Sequence, residues 1–335
     1  IDEAVDVSEN RPVLIDQYID RAIECEIDGV GDGEQLWIAG LMEHIERAGV
    51  HSGDASCVVP PVRLKKEIQE KILEYSRQIS AALHIIGAIN IQYVVRDDVI
   101  YVLEANPRAS RTMPFLSKAT GIPILQLATR VQLGEKLRDI APPEPHLDFY
   151  AVKSVVFPFL KLRGADFVLG PEMKSTGESM GADAEFPLAY YKALRGANLK
   201  LPMSGTIAFS LKEGDKERLP PVAAKLVSLG YSLAATPGTA SVLGNLPHKV
   251  LKKLADGTPN LVSELQAAHV QLVINTPSKG GRADSDGFAI RRAALEANVP
   301  CITNFEAAEA LAEALEAAKK GEVAPKCLQE YWKKK

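Results

Sequence analysis

Oxygen donors and guanidinium groups cluster in one short part of this chain. Asn90-Ile-Gln92 lies in a run that reads as a strand over 88–95, and Glu104-Ala-Asn106-Pro-Arg108-Ala-Ser-Arg111 closes and follows a second one over 99–104. With Arg96-Asp97-Asp98 as the hairpin turn, Gln92 and Glu104 share parity and project from one face, with Asn106 just beyond the strand end. A carboxylate flanked by amide oxygens suits a hard divalent cation; Mg²⁺ takes few protein carboxylates and completes its shell with phosphate oxygens and water. Arg108 and Arg111, three apart after Pro107, add guanidinium forks suited to a phosphoryl group. The same spacing also allows an ordinary solvated hairpin in which Glu104 pairs with Arg108 or Arg111.

The elements that must position these groups can be read from periodicity. Strand-like runs at 12–19, 22–30 and 35–43 are separated by Asp20-Arg21 and by the turn signal Gly31-Asp32-Gly33. Ile68, Ile72, Ile79 and Leu83 recur at helical intervals and predict a helix over 65–84. A helical region follows Arg111 and ends near Gly134, and Pro142-Pro143-Glu144-Pro145 breaks the pattern, since proline fixes φ and lacks a donor. A second unit starts near residue 198 and alternates: strands at 205–210, 231–235, 270–275 and 299–303, helices at 216–229, 260–268, 284–298 and 305–319. Such alternation predicts a parallel sheet with helices on both faces.

Composition narrows the class. The 335 residues suggest two or three domains, and 46% hydrophobic with 24% charged residues supports packed cores rather than disorder. A net charge of −4 argues against a general nucleic-acid or anionic-membrane surface. Cys25, Cys57, Cys301 and Cys327 show neither zinc-type spacing nor a disulfide framework, so reduced thiols in a cytoplasmic protein are expected. No apolar run reaches membrane-spanning length, and no basic-then-apolar signal pattern opens the chain. The chain begins at Ile1 and reaches a strand-like run almost at once, which predicts that it starts inside a domain.

The segment Glu104–Arg111, with the upstream Asn90-Ile-Gln92, resembles the metal-binding signature of ATP-grasp ligases, and in particular the large subunit of carbamoyl-phosphate synthetase. Further blocks agree in order: 42–46, 49–54, 117–121, 170–177 and 192–196. The resemblance implies that Gln92, Glu104 and Asn106 hold Mg²⁺ or Mn²⁺ bridging ATP phosphates, and that Arg108 and Arg111 meet the transferred phosphoryl group or the carbamate product. It places Glu24 at the ribose hydroxyls, Gln17 and Ile19 on an adenine-contacting strand, and Gly49, Val50, His51 and Ser52 in a loop contacting the nucleotide. Many relatives have His where this chain has Gln17. The implied reaction is carbamate attack on the γ-phosphate of ATP, which needs alignment and electrostatic stabilisation rather than a nucleophilic triad.

The second unit resembles the methylglyoxal-synthase-like domain that ends such large subunits, on blocks 213–216, 235–239 and 272–276. The resemblance implies an effector site for a nucleotide monophosphate, UMP or IMP, at Lys216, Thr236, Thr239, Lys253 and Asn275. Hydroxyls and N–H groups at the carboxyl end of a parallel strand suit a phosphate. Pro277 and the loop 278–285 depart from the family pattern, and Gly280-Gly281 is followed by Arg282 rather than a catalytic Asp, so lyase activity is not expected. Ornithine activation, known in some members, uses acidic residues near the junction; Glu46 and Asp54 are present, but Ser154 stands where those members have Glu.

The fold expected is therefore α/β: a partial ATP-grasp synthetic domain over 1–197 and a doubly wound regulatory domain over 198–335. The expected partners are the rest of the large subunit and a glutaminase small subunit, in a hetero-oligomer serving pyrimidine and arginine synthesis. Alone, with a Gly-rich lid lobe expected before Ile1, these residues are predicted to have little synthetase activity. A non-catalytic regulatory module binding nucleotide effectors, or another ATP-grasp ligase, is the alternative.

Overall fold

The computed structural model describes residues 15, 17–159, 166, 168–277, 285–321 and 323–332. The first of its two sheets is antiparallel and is built from β1 (Ile23–Asp32), β2 (Leu36–Arg47), β3 (Cys57–Val59), β4 (Ile86–Arg96), β5 (Val99–Asn106), β6 (Tyr150–Val156) and β7 (Gly177–Asp183), in the order β5-β4-β1-β2-β3-β6-β7. Helix α1 (Lys66–Ala82) presents Ile68 and Ile72 to Cys25, Ile27, Ile89, Ile91 and Tyr93, the odd-numbered residues of β1 and β4. Burying each such aliphatic side chain contributes roughly 1.5–3 kcal/mol. Because strand side chains alternate, the even-numbered residues of the same strands must face the other way, and there the sequence is polar: Glu24, Glu26, Asp28, Asn90 and Gln92. Helices α2 (Thr112–Thr120) and α3 (Ile124–Gln132) bury Met113, Leu116 and Leu127 with Val30 and Trp37.

Helix α4 (Phe186–Gly196) leads into the second sheet, whose strands β8 (Thr206–Ser210), β9 (Ser232–Ala235), β10 (Lys249–Val250), β11 (Leu272–Asn275) and β12 (Cys301–Ile302) are all parallel, in the order β10-β9-β8-β11-β12. Ile207 and Phe209 of β8 face α5 (Leu219–Ser228) and α8 (Phe305–Lys320), while Ala208 and Val273 face α6 (Leu261–Gln266) and α7 (Asp286–Glu296). The alternation expected from the sequence thus produces helices on both faces. Tyr190 and Leu194 of α4 share a core cluster with Ile207, Leu315 and Val152, so apolar packing is continuous between the two sheets.

Several local expectations are corrected. Gln17, Tyr18 and Ile19 are not in a strand, because no strand among the described residues pairs with their backbone, while residues 12–14 and 16 of that run lie outside the described residues. Gly31 and Asp32 belong to β1; the chain reverses one step later, at Gly33 with φ +89°, where Asp32 Oδ1 accepts from the backbone N–H of Glu34 and Gln35. The helix expected at 216–229 is two pieces, Glu213–Lys216 and α5, because Pro220 and Pro221 suit a first helical turn and not an interior. The helical region before Gly134 breaks between α2 and α3 at Gly121, φ +74°. Strands β6 and β7 and helix α4 were not expected from periodicity. Residues 278–284, which include Gly280, Gly281 and Arg282 and the start of the helix expected at 284–298, lie outside the described residues.

Candidate functional site

The β4–β5 hairpin departs from its expected geometry twice, and the departures offset each other. Its turn has two residues, Asp97 and Asp98, both at positive φ, so Arg96 pairs with Val99. Continued regularly, that register would set Leu103 opposite Gln92. A β-bulge between Gln92 and Tyr93 skips Leu103 and sets Glu104 opposite Gln92 and Asn106 opposite Asn90. Asn106 is therefore the last residue of the strand and not just past it. With β1 alongside, two cross-strand rungs result: Glu26–Gln92–Glu104 and Asp28–Asn90–Asn106.

Hydrogen bonds tie the rungs together. Asn106 Nδ2 donates to Glu104 Oε1 (2.8 Å) and to Asn90 Oδ1 (3.5 Å). Gln92 Nε2 donates to Ser52 Oγ (3.1 Å) and Asn90 Oδ1 (3.3 Å), and Asn90 Nδ2 donates to Glu26 Oε2 (2.7 Å) and Asp28 Oδ1 (3.0 Å). These amide donors all point inward, which leaves the amide oxygens of Gln92 and Asn106 without a donor among the described residues. Among the described residues Glu104 forms no ion pair with Arg108 or Arg111, and its side chain, like most of β5, is exposed. Arg108 is exposed and donates to the Ala109 carbonyl, whereas Arg111 is anchored by Ser175 Oγ (2.9 Å).

Beneath this polar surface lies buried charge. Glu24, Glu26, Asp28, His44 and Lys153 are all at most 5% exposed. His44 lies between two carboxylates, 3.6 Å from Glu24 and 3.3 Å from Glu26. Burial pulls the His44 pKa down, but the Glu26 hydrogen bond and both negative charges outweigh it and hold it above the ordinary histidine value. Burial raises Glu26, yet His44 and Lys153 bring it below the usual carboxylate range. Asp28 is pushed up to about 7, by burial first and the Glu26 charge second, although Thr112, Ser110 and Asn90 all donate to it. Lys153 Nζ donates to the Ser52 carbonyl (3.2 Å), which links this layer to the loop 49–53.

The remaining expected residues take these places. Glu24 is buried, its carboxylate accepting from the Gly49 N–H (3.3 Å) with His44 on its other side, and burial raises its pKa. Val50 is buried; His51 and Ser52 are half-buried, and His51 Nδ1 accepts from the Gly53 N–H. Ile19 packs on Ala22, Ala48 and Val94, while Gln17 is exposed and outside the hydrogen-bonded group. Glu26, Asp28, His44 and Lys153 were missed in sequence, although the alternation Glu24-x-Glu26-x-Asp28 within a predicted strand was a readable signal of an acidic face. The set Gln92, Glu104 and Asn106 offers one carboxylate and two amide oxygens, which fits a hard cation sharing its shell with phosphate. Among the described residues no group of three or more His, Cys, Asp or Glu side chains is arranged to hold a metal by itself.

In the second sheet the chain runs outward through β8, β9 and β10 and then returns to β11 beside β8, a reversal of strand order that opens a crevice at the strands' carboxyl ends. Thr239 Oγ1 accepts from the Leu211 N–H (3.0 Å) and from Thr236 Oγ1, and Asn275 Nδ2 donates to the Ser210 carbonyl (3.1 Å). Lys216 Nζ lies over Gly238. These four expected residues lie at or just beyond the carboxyl ends of β8, β9 and β11; Lys253 is exposed and joins none of these hydrogen bonds. A cavity of about 400 Å³ between the sheets is lined by Glu46, Ser56, Ser154, Tyr190, Cys301 and Asn304 among others. Glu46 there is raised by burial, and Asp54 lies elsewhere with both carboxylate oxygens engaged by the N–H groups of Lys174 and Ser175.

All four cysteines are free, and no helix among the described residues is long and apolar enough to cross a membrane. Residues 1–140 match the family model of the carbamoyl-phosphate synthase L chain, ATP binding domain, and residues 218–303 match that of the MGS-like domain. The carbamoyl phosphate synthase large chain of Archaeoglobus fulgidus is 48% identical over 99% of this chain and 31% of its own length. The large chain's C-terminal section from Methanocaldococcus jannaschii is 46% identical over 98% of this chain and 56% of its own length. This chain therefore spans about a third of the one relative and just over half of the other. Among solved structures, the biotin carboxylase domain of a single-chain bacterial carboxylase has a TM-score of 0.43 at 15% identity, covering 54% of this chain and 48% of that one. Homologous along nearly its whole length, with an ATP-binding domain followed by an MGS-like one, the chain belongs to the carbamoyl phosphate synthase large-chain family and corresponds to its C-terminal section.

Proposed function

We propose that this stretch carries the ATP-dependent phosphorylation of carbamate to carbamoyl phosphate, in a synthase that serves pyrimidine and arginine synthesis. The supporting observation is the pair of cross-strand rungs, which gathers Gln92, Glu104 and Asn106 on one face with Arg111 anchored nearby. These three side chains would hold Mg²⁺ or Mn²⁺, which when bound neutralises phosphate charge and aligns the β- and γ-phosphates. A carbamate oxygen attacks the γ-phosphorus, the bond to the bridging oxygen breaks, and ADP leaves. Arg111, fixed by Ser175, and the exposed Arg108 would meet the phosphoryl oxygens. The backbone of Gly49, Val50, His51 and Ser52 would carry the nucleotide, with Glu24 beneath Gly49 setting the loop's height near the ribose and Gln17 and Ile19 toward the base.

In the same reading a synthetic domain ends near residue 197 and a regulatory domain follows. UMP or IMP binds the crevice at Lys216, Thr236, Thr239 and Asn275, with Lys253 at its margin. The rest of the large chain and a glutaminase small subunit complete the enzyme. The decisive experiment is Glu104→Gln in the intact large chain. ATP synthesis from carbamoyl phosphate and ADP, the reverse of carbamate phosphorylation, should fall at least about a thousandfold, while bicarbonate-dependent ATP cleavage stays within about twofold. Retention of the carbamate reaction would refute the assignment.

A further inference from the structure

Asp166 and residues 168–175, outside both sheets, touch the two candidate sites at once. At one end stands Arg291 of α7, only 1% exposed. Its Nε donates to Asp166 Oδ1 (2.7 Å), its Nη2 pairs with Asp166 Oδ2, and its Nη1 donates to Asn275 Oδ1 (2.7 Å). One buried guanidinium thus holds both a crevice side chain of the second sheet and a carboxylate contributed 125 residues earlier. Lys174 Nζ closes the segment on itself, donating to the carbonyls of Val168 (2.8 Å) and Asp166 (3.4 Å).

The other end is fastened to the metal–phosphate side. The N–H groups of Lys174 and Ser175 donate to the Asp54 carboxylate (2.7 and 2.9 Å), and the His51 N–H donates to the Gly170 carbonyl (2.8 Å). Ser175 Oγ donates to the Gly53 carbonyl (3.1 Å) and accepts from Arg111 Nη1 (2.9 Å). Polar contacts therefore run without a break from Asn275 to the loop 49–54 and Arg111. Among the described residues Asp166 is the sole ion-pair partner of Arg291. A buried guanidinium is costly to leave unpaired, so a shift of Arg291 must carry Asp166 with it.

We infer that Arg291 and Asp166 are positioning residues that couple a phosphate-ester ligand at the ends of β8, β9 and β11 to the nucleotide loop and Arg111. A ligand phosphate accepts from Asn275 Nδ2 in place of the Ser210 carbonyl, and the swing of the amide draws Oδ1 away from Arg291 Nη1, one of the three hydrogen bonds that hold Arg291. The displacement passes through Asp166 to residues 168–175 and resets His51 and Arg111. The inference rests on the effector reading of the crevice only for the ligand's identity; the mechanical link stands on the hydrogen bonds.

The test uses the intact large chain with Asp166→Asn, and the neutral double variant Asp166→Asn/Arg291→Gln, which leaves no lone buried charge should the single variant unfold. Amide hydrogen exchange in peptides covering 46–58 and 168–178 should accelerate about tenfold in both, the signature of a lost tether. ADP affinity is then titrated with and without UMP and IMP. Whichever nucleotide shifts it in the parent should shift it less than about twofold in the variants while still binding, and ADP must alter that nucleotide's affinity by the same factor. Unchanged exchange at 46–58, or a surviving shift in ADP affinity, would overturn the coupling. If neither UMP nor IMP binds the parent, the effector reading fails, and the exchange result still decides the link.

Discussion

The two candidate sites use opposite materials. In the antiparallel sheet, donors project from strand faces and stand on a buried layer of ionisable side chains, Glu24, Glu26, Asp28, His44 and Lys153. In the parallel sheet, the candidate groups lie at strand ends and are mostly neutral: the Thr236 and Thr239 hydroxyls and the Asn275 amide, with Lys216 at the rim. A face can be held in register by charges behind it, whereas a strand end is held by its loop. The first site should therefore lose stability when its support is altered, and the second should mainly lose ligand.

His44→Leu offers the largest break. It leaves Glu24 and Glu26 buried without their imidazolium, a loss of about 3–5 kcal/mol by denaturant unfolding. The His44 pKa is raised on folding, so its stabilising charge is fully present below the unfolded value and lost as pH rises through the folded one. The deficit of the variant should accordingly be full below about pH 6.5 and shrink above it. A deficit that does not change with pH would mean that His44 acts by shape alone.

Thr239→Val probes the second site at its most buried point. The substitution strands the Leu211 N–H, which Thr239 Oγ1 now accepts, and should cost about 1–3 kcal/mol. A loss as large as that of His44→Leu would erase the contrast between the sites. Lys216→Ala sharpens it at the small end. Unfolding stability should move by less than about 0.5 kcal/mol, since among the described residues Lys216 pairs only with the exposed Glu213, while affinity for UMP, IMP or inorganic phosphate drops about tenfold.

Some of this was readable before any coordinates. Gln92, Glu104, Asn106 and the two arginines stand out by type and spacing; the strand pairing brings the first three together, while Arg108 and Arg111 hydrogen-bond elsewhere. The route was different, however: a three-residue turn was expected, and the chain uses a two-residue turn plus a bulge at Leu103. Both arrangements satisfy the same parity, because two irregularities of one residue each cancel. Arg291 and Lys153 stayed hidden for another reason. A lysine or arginine in a string looks solvated by default, and what makes these two internal is a partner far along the chain, Asp166 for one and the Ser52 carbonyl for the other.

The residues alone determined the parallel alternating unit, the acidic parity of β1 and the chemistry offered by the Glu104–Arg111 segment, because each depends on neighbours a few positions apart. The three-dimensional arrangement decided which donors share a rung, which cations are buried, and that one stretch after Asp166 fastens the two sites together. Those outcomes depend on burial and on contacts between distant parts of the chain, and local spacing encodes neither.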